Sequence, residues 1–225
     1  MNDIKWCPFV PLYTAEALIL RTYKLGEADR IVVFLTRDRG KKRGVAKGAR
    51  RPRSSFTGAL EPMTEVRVAY FEKERRELVG LNYAETFRSP LTLANPDALG
   101  YISYFAELLD EWAQEADADD RLYRLGASML DALSVGAPVE PLARYFEYWL
   151  LRLQGVYPES QAGLSSAAMA FLAGSRTVPP QQVASVPVEL RALRELENVH
   201  RTLITMHLEK TLKSDRVLRD LRRHA

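Results

Sequence analysis

Five strand-length segments within the first ninety residues constrain the fold of this chain most. They are residues 14–23, 30–36, 41–46, 64–71 and 78–86. The second contains the run IVVFL, which is continuous, apolar and rich in β-branched residues, as in a strand buried on both sides. The fourth alternates in polarity. Val66, Val68 and Tyr70 are predicted to face the core, whereas Glu65, Arg67 and Ala69 are predicted to face solvent.

This strand pattern predicts a small closed or nearly closed β-barrel, with a long loop before its fourth strand. The oligonucleotide-binding barrel is a five-stranded fold that binds ligands through one face and its loops. An SH3-like barrel fits the same spacing almost as well. Strand spacing alone therefore leaves the type of barrel open.

The segment 37–53, RDRGKKRGVAKGARRPR, carries nine cations and a single anion, Asp38. We call it the basic ribbon. Its cations are Arg37, Arg39, Lys41, Lys42, Arg43, Lys47, Arg50, Arg51 and Arg53. Glycines at 40, 44 and 48 let the backbone turn sharply or approach a ligand closely. Fixed positive charge suits a nucleic-acid backbone, because each neutralised phosphate releases condensed counterions. We therefore predict that these nine residues bind phosphate.

A solvated basic strand, or a localisation-like tract, would show the same charges. The distribution of charge favours an anionic partner instead. Residues 1–90 hold 18 Lys and Arg against 11 Asp and Glu, a net charge of +7, while residues 91–225 carry −4. This asymmetry indicates an anionic partner for the first part only. Tyr23, Phe56 and Tyr70 are candidates for base stacking, although each also fits a place in the core.

The sequence argues against several other classes of protein. The single cysteine, Cys7, excludes a disulfide framework and a multi-cysteine metal site. Pro8 and Pro11 break the only early apolar run, and no run approaches the length needed to span a bilayer. We therefore expect a cytoplasmic protein without a membrane segment, a cofactor or a metal.

Helical periodicity dominates the rest of the chain. Helices are predicted to end near Trp112 and Leu133, to cover residues 140–153, 164–173 and 188–212, and to close with a last helix through 221. The acidic group Asp117, Asp119 and Asp120 is interpreted as capping a helix, since it lacks the glycine and terminal Glu of a calcium loop.

Two further features of the helical part invite a functional interpretation. His200 and His207 are seven residues apart, whereas a metal pair on a helix prefers four, so we interpret them as packed or solvated. The aromatic stripe Tyr145, Phe146, Tyr148 and Trp149 is interpreted as core. Any part exposed beside Arg144 and Arg152 could receive a short apolar peptide that ends in a carboxylate.

An ordered series of motifs in residues 14–90 resembles one family. Residues 20–23 (LRTY), 26–32 (GEADRIV), 45–56 (VAKGARRPRSSF) and 58–62 (GALEP) resemble the N-terminal domain of the bacterial recombination mediator RecO. The helical remainder matches more loosely, and its best part is residues 207–214 (HLEKTLKS).

The resemblance implies an α+β protein: an oligonucleotide-binding barrel over residues 1–88, followed by an all-helical domain over residues 89–225. It also implies binding of single- and double-stranded DNA, annealing of complementary strands, and cooperation with RecR to load RecA onto DNA coated by the single-stranded-DNA-binding protein SSB. Many members carry a four-cysteine zinc motif after a segment similar to residues 153–158. Here residues 159–168 contain no Cys or His, so the zinc module is predicted to be absent.

Two other classes of function are weighed against this mediator. One is a protein-interaction adaptor whose basic strand docks an acidic protein tail. The other is an enzyme, which we do not expect, since the sequence has no phosphate loop, HExxH, GxSxG or clustered carboxylates with metal-ligand spacing. Glu27, Asp29 and Glu61 could pair as acids, but Asp29 beside Arg30 is better explained as a structural ion pair at the start of a strand.

Overall fold

Five strands form a closed barrel at the start of the chain. A computed structural model describes residues 11–72, 77–93, 97–115, 117–158, 163–214 and 218. The strands are β1 (Leu12–Leu25), β2 (Asp29–Thr36), β3 (Gly40–Ala46), β4 (Glu65–Phe71) and β5 (Val79–Arg88). All five predicted strands are confirmed, and no end differs from its prediction by more than two residues.

The strand order identifies the barrel. Going round it, the strands follow β1-β2-β3-β5-β4, and β4 pairs with β1 to close the sheet. β3 and β5 are the only parallel neighbours among these strands, and the remaining pairs are antiparallel. This is the arrangement of the oligonucleotide-binding fold, so the SH3-like alternative is wrong.

The barrel interior is filled by alternate residues of each strand. Val66, Val68 and Tyr70 are fully buried there, as predicted. The loop between β3 and β4 contributes Phe56, 5% exposed, with Ala59 and Leu60. Phe56 and Tyr70 are therefore core residues and cannot stack on bases.

The outer face of β1 and β2 forms a second buried layer. Leu18, Leu20, Val33 and Leu35 point away from the barrel interior and join the hydrophobic core of the helical part. β2 is therefore buried on both sides, as its apolar run predicts.

Glu65 and Ala69 contradict the predicted polarity of β4, because both are buried. The carboxylate of Glu65 accepts hydrogen bonds from Tyr123 Oη at 2.7 Å and Arg88 Nε at 2.6 Å. The prediction that they face solvent is wrong, since packing against the rest of the chain covers this part of the strand.

Five helices follow the barrel. They are α1 (Asp97–Trp112), α2 (Asp120–Ser134), α3 (Val139–Leu153), α4 (Ser166–Gly174) and α5 (Leu190–Leu208), with short 3-10 helices at Pro90–Thr92 and Pro180–Ser185. Asp119 caps α2 by accepting hydrogen bonds from the backbone of Arg121 and Leu122, so its predicted capping role is confirmed. α5 ends at Leu208, earlier than predicted, and the next residue, Glu209, has a left-handed backbone with a φ of 54°. Most of the helix predicted through 221 lies outside the described residues, as does Cys7.

α2 lies very close to β1. A Cβ atom on Gly126 would lie 2.7 Å from side-chain atoms of both Leu18 and Leu109, a separation that packed atoms do not tolerate. Glycine within a helix costs about 1 kcal/mol relative to alanine. Here it permits the contact between the helical layer and the barrel.

A buried polar cluster joins α1, α3 and α5. Glu147 accepts hydrogen bonds from Arg144 at 2.6 Å and from Tyr104 at 2.8 Å, and lies 2.9 Å from His200 Nδ1. His200 is fully buried, and burial lowers its pKa more than the neighbouring carboxylate raises it. The structure thus confirms His200 as a packed residue, while the exposed His207 stacks on Trp112 at 5.6 Å.

The lowered pKa of His200 predicts that the protein loses stability in mild acid. The folded state keeps this imidazole neutral, whereas the unfolded chain protonates it as pH falls through 6.5. The free energy of unfolding should therefore fall below that pH, by up to about 1.4 kcal/mol per pH unit. Urea titrations at about pH 7.5 and about pH 5.5 measure the change. His200→Gln should flatten the pH dependence, and His207→Gln, at an exposed position, should retain it. Equal dependence in the wild type and His200→Gln would contradict the assignment.

Candidate nucleic-acid interface

The basic ribbon is not one surface, because β3 divides it. Arg37 and Arg39 lie in the turn before β3, whereas Lys47, Arg50, Arg51 and Arg53 follow its end. β3 is 7 residues long, so the two groups lie roughly 20 Å apart along the strand. Each part of the ribbon therefore has its own surroundings.

The cations before β3 are already paired. Arg37 is 3.0 Å from both Glu16 and Asp120, and its hydrogen bonds to Glu16 and Asp120 raise its pKa. Arg39 lies 3.7 Å from Asp38, and its guanidinium stacks over the ring of Tyr13 at 4.5 Å. Phosphate would have to compete with these partners.

Lys41 and Lys42 are largely enclosed, with side chains 16% and 14% exposed. Lys41 Nζ donates to the backbone oxygen of Asp110 at 2.6 Å and lies 3.3 Å from its carboxylate, which also pairs with Arg21 at 2.7 Å. Lys42 pairs with Glu72 at 3.0 Å. We conclude that Lys41 joins β3 to α1 and that both lysines have structural partners.

Close backbone packing supports the junction at Lys41. The preceding residue, Gly40, has a φ of 67°, and a Cβ there would lie 2.5 Å from the backbone oxygen of Asp117. The backbone nitrogen of Lys41 donates to Gln114 at 3.0 Å. Glycine is required here both for its left-handed conformation and for the close approach.

The remaining cations form the unpaired part of the ribbon. Arg43, Lys47, Arg51 and Arg53 are exposed, and none of them has a carboxylate partner among the described residues. Arg50 is also exposed, but its guanidinium donates to the backbone oxygen of Gly26 at 2.9 Å. We call these five residues the free cations.

Hydrogen bonds hold the loop after β3, which carries all the free cations except Arg43, against the β1–β2 turn. The backbone nitrogen of Arg50 donates to Ala28 at 2.9 Å, and that of Gly48 donates to the Asp29 carboxylate at 2.8 Å. Asp29 therefore orients the loop, and Arg30 bonds to Thr22 at 3.1 Å. The predicted ion pair between Asp29 and Arg30 is not among the contacts of the described residues.

An exposed aromatic residue lies on the adjoining sheet surface. Register places Arg21 opposite Val33, and Val33 opposite Arg43, so these two arginines share the outer face about 10 Å apart. Tyr23 is 43% exposed on the same face, with the Arg21 guanidinium over its ring at 5.1 Å. Arg21 was missed as a candidate, although its position two residues before Tyr23 on a strand places both on one face.

Other arginines near the junction do not extend this surface. Arg121 and Arg124 pair with Asp119 and Asp120 at 3.3 Å and 2.8 Å. Arg88 is bound between Glu65 and Asp131. Their charges are balanced locally.

The prediction that Arg144 contributes to a peptide-binding site is wrong. Arg144 is 4% exposed and bound to Glu147 and Glu197, whose carboxylates outweigh burial and raise its pKa. Tyr145, Phe146 and Tyr148 are core, as predicted, and Trp149 is half-buried. Of the two arginines predicted beside the stripe, Arg152 is exposed.

Two features that are absent from the described residues bear on other functions. These residues contain no group of three or more His, Cys, Asp and Glu residues placed to hold a metal ion. None of the helices there is long and apolar enough to cross a membrane. Residues 159–162, in the stretch predicted to lack a zinc module, lie outside the described part.

Comparison with known proteins assigns the family. Residues 10–90 match the family model described as Recombination protein O N terminal, and residues 93–168 match Recombination protein O C terminal. The chain belongs to the RecO family. The resemblance carried by the motifs of the first ninety residues is thereby confirmed.

Several relatives share this assignment. The DNA repair protein RecO of Koribacter versatilis is 41% identical over 66% of this chain and 61% of its own length. That of Anaeromyxobacter sp. (strain K) is 37% identical over 64% of this chain and 58% of its own. That of Symbiobacterium thermophilum is 35% identical, over 75% and 67%. The chain thus spans about three fifths of the first two relatives.

The division between Lys41 and Arg43 generates a prediction about stability. Lys41→Ala removes a charged partner from Asp110, a carboxylate 3% exposed, and should lower the free energy of unfolding by about 2 kcal/mol. Arg43→Ala, at an exposed position of the same strand, should change it by less than about 0.5 kcal/mol. Urea unfolding of both variants tests this. Equal stability of the two would show that Lys41 has no structural role.

Proposed function

We propose that this chain is a DNA repair and recombination mediator that binds single- and double-stranded DNA and anneals complementary strands without catalysing a reaction. The observation that carries the proposal is the group of free cations beside the exposed Tyr23 on the outer face of an oligonucleotide-binding barrel. The names of the relatives, DNA repair protein RecO, support a role in DNA repair.

The free cations suit phosphate binding because nothing in the described residues neutralises four of them. Each phosphate they bind releases a counterion, without first breaking an internal ion pair. Contacts of this kind position a strand without reading its sequence. DNA would therefore bind with little sequence preference. Annealing follows physically, since a basic surface reduces the repulsion between two strands that it holds.

The nine predicted phosphate contacts remain a proposal, with unequal roles. Arg43, Lys47, Arg51 and Arg53 carry most of the binding, and Arg50 also holds the loop. Arg37, Arg39, Lys41 and Lys42 contribute less, since each has an internal partner.

The finer parts of the proposal rest on the family. As the resemblance implies, the chain cooperates with RecR to load RecA onto DNA coated by SSB. It is also proposed to act in the cytoplasm, associated with the nucleoid, and to bind the C-terminal tail of SSB. The division into two domains between residues 88 and 89 is likewise a proposal. One hydrophobic core contains residues of both the barrel and the helices.

Removing the free cations tests the site. The variant Arg43→Gln/Lys47→Gln/Arg51→Gln/Arg53→Gln should bind a fluorescent single strand weakly. For this variant, the slope of log affinity against log salt should be shallower by about 2.8, since each of the four lost phosphate contacts contributes about 0.7. Fluorescence titrations across a salt series, with annealing followed in the same samples, measure both.

The matched control is Arg37→Gln/Arg39→Gln, whose cations belong to the same ribbon but are paired. It should change the salt slope little. If the control loses as much slope per residue as the test variant, internal pairing does not decide binding. If the test variant binds DNA as the wild type does, the site is refuted, and the same variants would then be tried with an acidic peptide, the ligand of the adaptor alternative.

Tyr23 supplies a second prediction. Tyr23→Ala should weaken single-strand binding by about 1–3 kcal/mol, the contribution of one base stacked on an aromatic ring. Tyr23→Phe should retain affinity, because the ring is kept. Tyr83, 37% exposed on β5, gives the matched control, and Tyr83→Ala should bind normally. Equal losses at Tyr23 and Tyr83 would argue against this face.

A further inference from the structure

Outside the barrel, two arginines converge on one buried oxygen atom. Tyr148, on α3, is fully buried, and its hydroxyl accepts a hydrogen bond from Arg152 Nη1 at 2.9 Å and another from Arg176 Nε. Arg152 belongs to the last turn of α3, and Arg176 follows α4. Since both donors bond to the same atom, their nitrogens lie within about 6 Å of each other.

The two charges are not neutralised. Neither Arg152 nor Arg176 has a carboxylate partner in the described part of the chain, and both side chains are exposed. The nearby carboxylate of Glu147 is already bound by Arg144, Tyr104 and His200. Two like charges held this close favour an anion between them.

The pair is held by packed aromatic residues. The ring of Tyr157 meets that of Tyr148 edge-on at 5.0 Å, and burial raises the pKa of Tyr157 to about 12, so it stays neutral. The indole nitrogen of Trp149 donates to the backbone oxygen of Ser175 at 3.2 Å, which ties α3 to the residue before Arg176. The two guanidinium groups are therefore presented together by fixed elements.

We propose that Arg152 and Arg176 form a second phosphate-binding site for nucleic acid, on the helical part of the molecule. The proposal rests on the proposed function, which it extends from the barrel to α3. A backbone phosphate has two non-bridging oxygens, so it can accept hydrogen bonds from both guanidinium groups at once. Arginine suits such contacts because its donors form a rigid, planar fork.

The surroundings favour phosphate over the carboxylate of an apolar peptide. Such a peptide would need an open apolar surface next to the charges. The Arg152 guanidinium already lies over the ring of Trp149, at 5.8 Å from its centre. Among the described residues, no large apolar side chain that is exposed belongs to α3 or to residues 174–178. The site thus offers charge without an apolar pocket.

The salt dependence of DNA binding tests this site. Arg152→Gln/Arg176→Gln should make the slope of log affinity against log salt for a fluorescent oligothymidylate shallower by about 0.7, the value for the one phosphate that the pair binds. The matched control is Arg121→Gln/Arg124→Gln, which removes two exposed arginines that have carboxylate partners. It should leave the slope unchanged. An unchanged slope in the test variant, or an equal decrease in both, overturns the proposal.

A charge-preserving variant guards against a folding defect. Arg152→Lys/Arg176→Lys should retain most of the salt slope, and thermal unfolding should show all variants folded. If the lysine variant loses as much as the glutamine variant while both are folded, the charges do not bind phosphate, and the inference fails.

The inference and the proposed function can fail separately. The ¹⁵Nε signals of Arg152 and Arg176 are followed by NMR during titration with the dinucleotide pdTpdT, in the wild type and in the variant that lacks four free cations. Shifts in both proteins support the site even if the barrel variant shows that the free cations do not bind DNA. No shift at either arginine overturns the site, whatever the barrel does. Binding of a carboxylate-ended peptide, without any response to pdTpdT, also overturns it in favour of a peptide site.

Discussion

The contact between the outer face of β1 and β2 and the helical layer determines the rest of the structure. Leu18, Leu20, Val33 and Leu35 would be exposed on an isolated barrel, and burying a side chain of this size contributes about 1.5–3 kcal/mol. The same contact brings Asp110 of α1 against β3. This buried carboxylate needs cations, and the barrel supplies Arg21 and Lys41. Lys41 of the basic ribbon therefore belongs to the junction.

This allocation leaves most of the unpaired charge of the basic ribbon towards one end, among the described residues. A cation bound to an internal carboxylate gains little from a phosphate, because it must first give up an existing partner. Arg37, Arg39, Lys41 and Lys42 are in that position. The loop after β3 is different, since its backbone is bonded to the β1–β2 turn while its side chains remain in solvent. Such a loop presents charge in a fixed place and loses little conformational entropy on binding.

Most of the barrel was predictable from sequence, since period-two alternation and β-branched runs are local signals. What the sequence could not show depends on residues far apart in the chain. Lys41 and Asp110 are 69 residues apart, and the carboxylate that makes the lysine structural leaves no trace near it. Glu65 and Ala69 follow the outward period of β4, yet both are buried, and the carboxylate of Glu65 accepts a hydrogen bond from Tyr123. Phe56 lies within a basic loop, but it is buried among residues of the barrel interior that come from strands elsewhere in the chain. Charge counting over a short window therefore overestimated the free charge of this region.

The affinity of a protein surface for phosphate depends on the cations that the fold leaves without partners. Arg121 and Arg124 lie about one turn apart on the same helix and form a basic cluster in the sequence. In the structure each has an aspartate partner. Arg152 and Arg176 are separated by a helix and a loop, and each looks isolated. Folding brings them to the hydroxyl of Tyr148, which can stabilise both guanidinium groups but cannot neutralise either. Since no carboxylate of the described residues pairs with either arginine, an excess charge of two remains at this surface, and a bound anion would balance it.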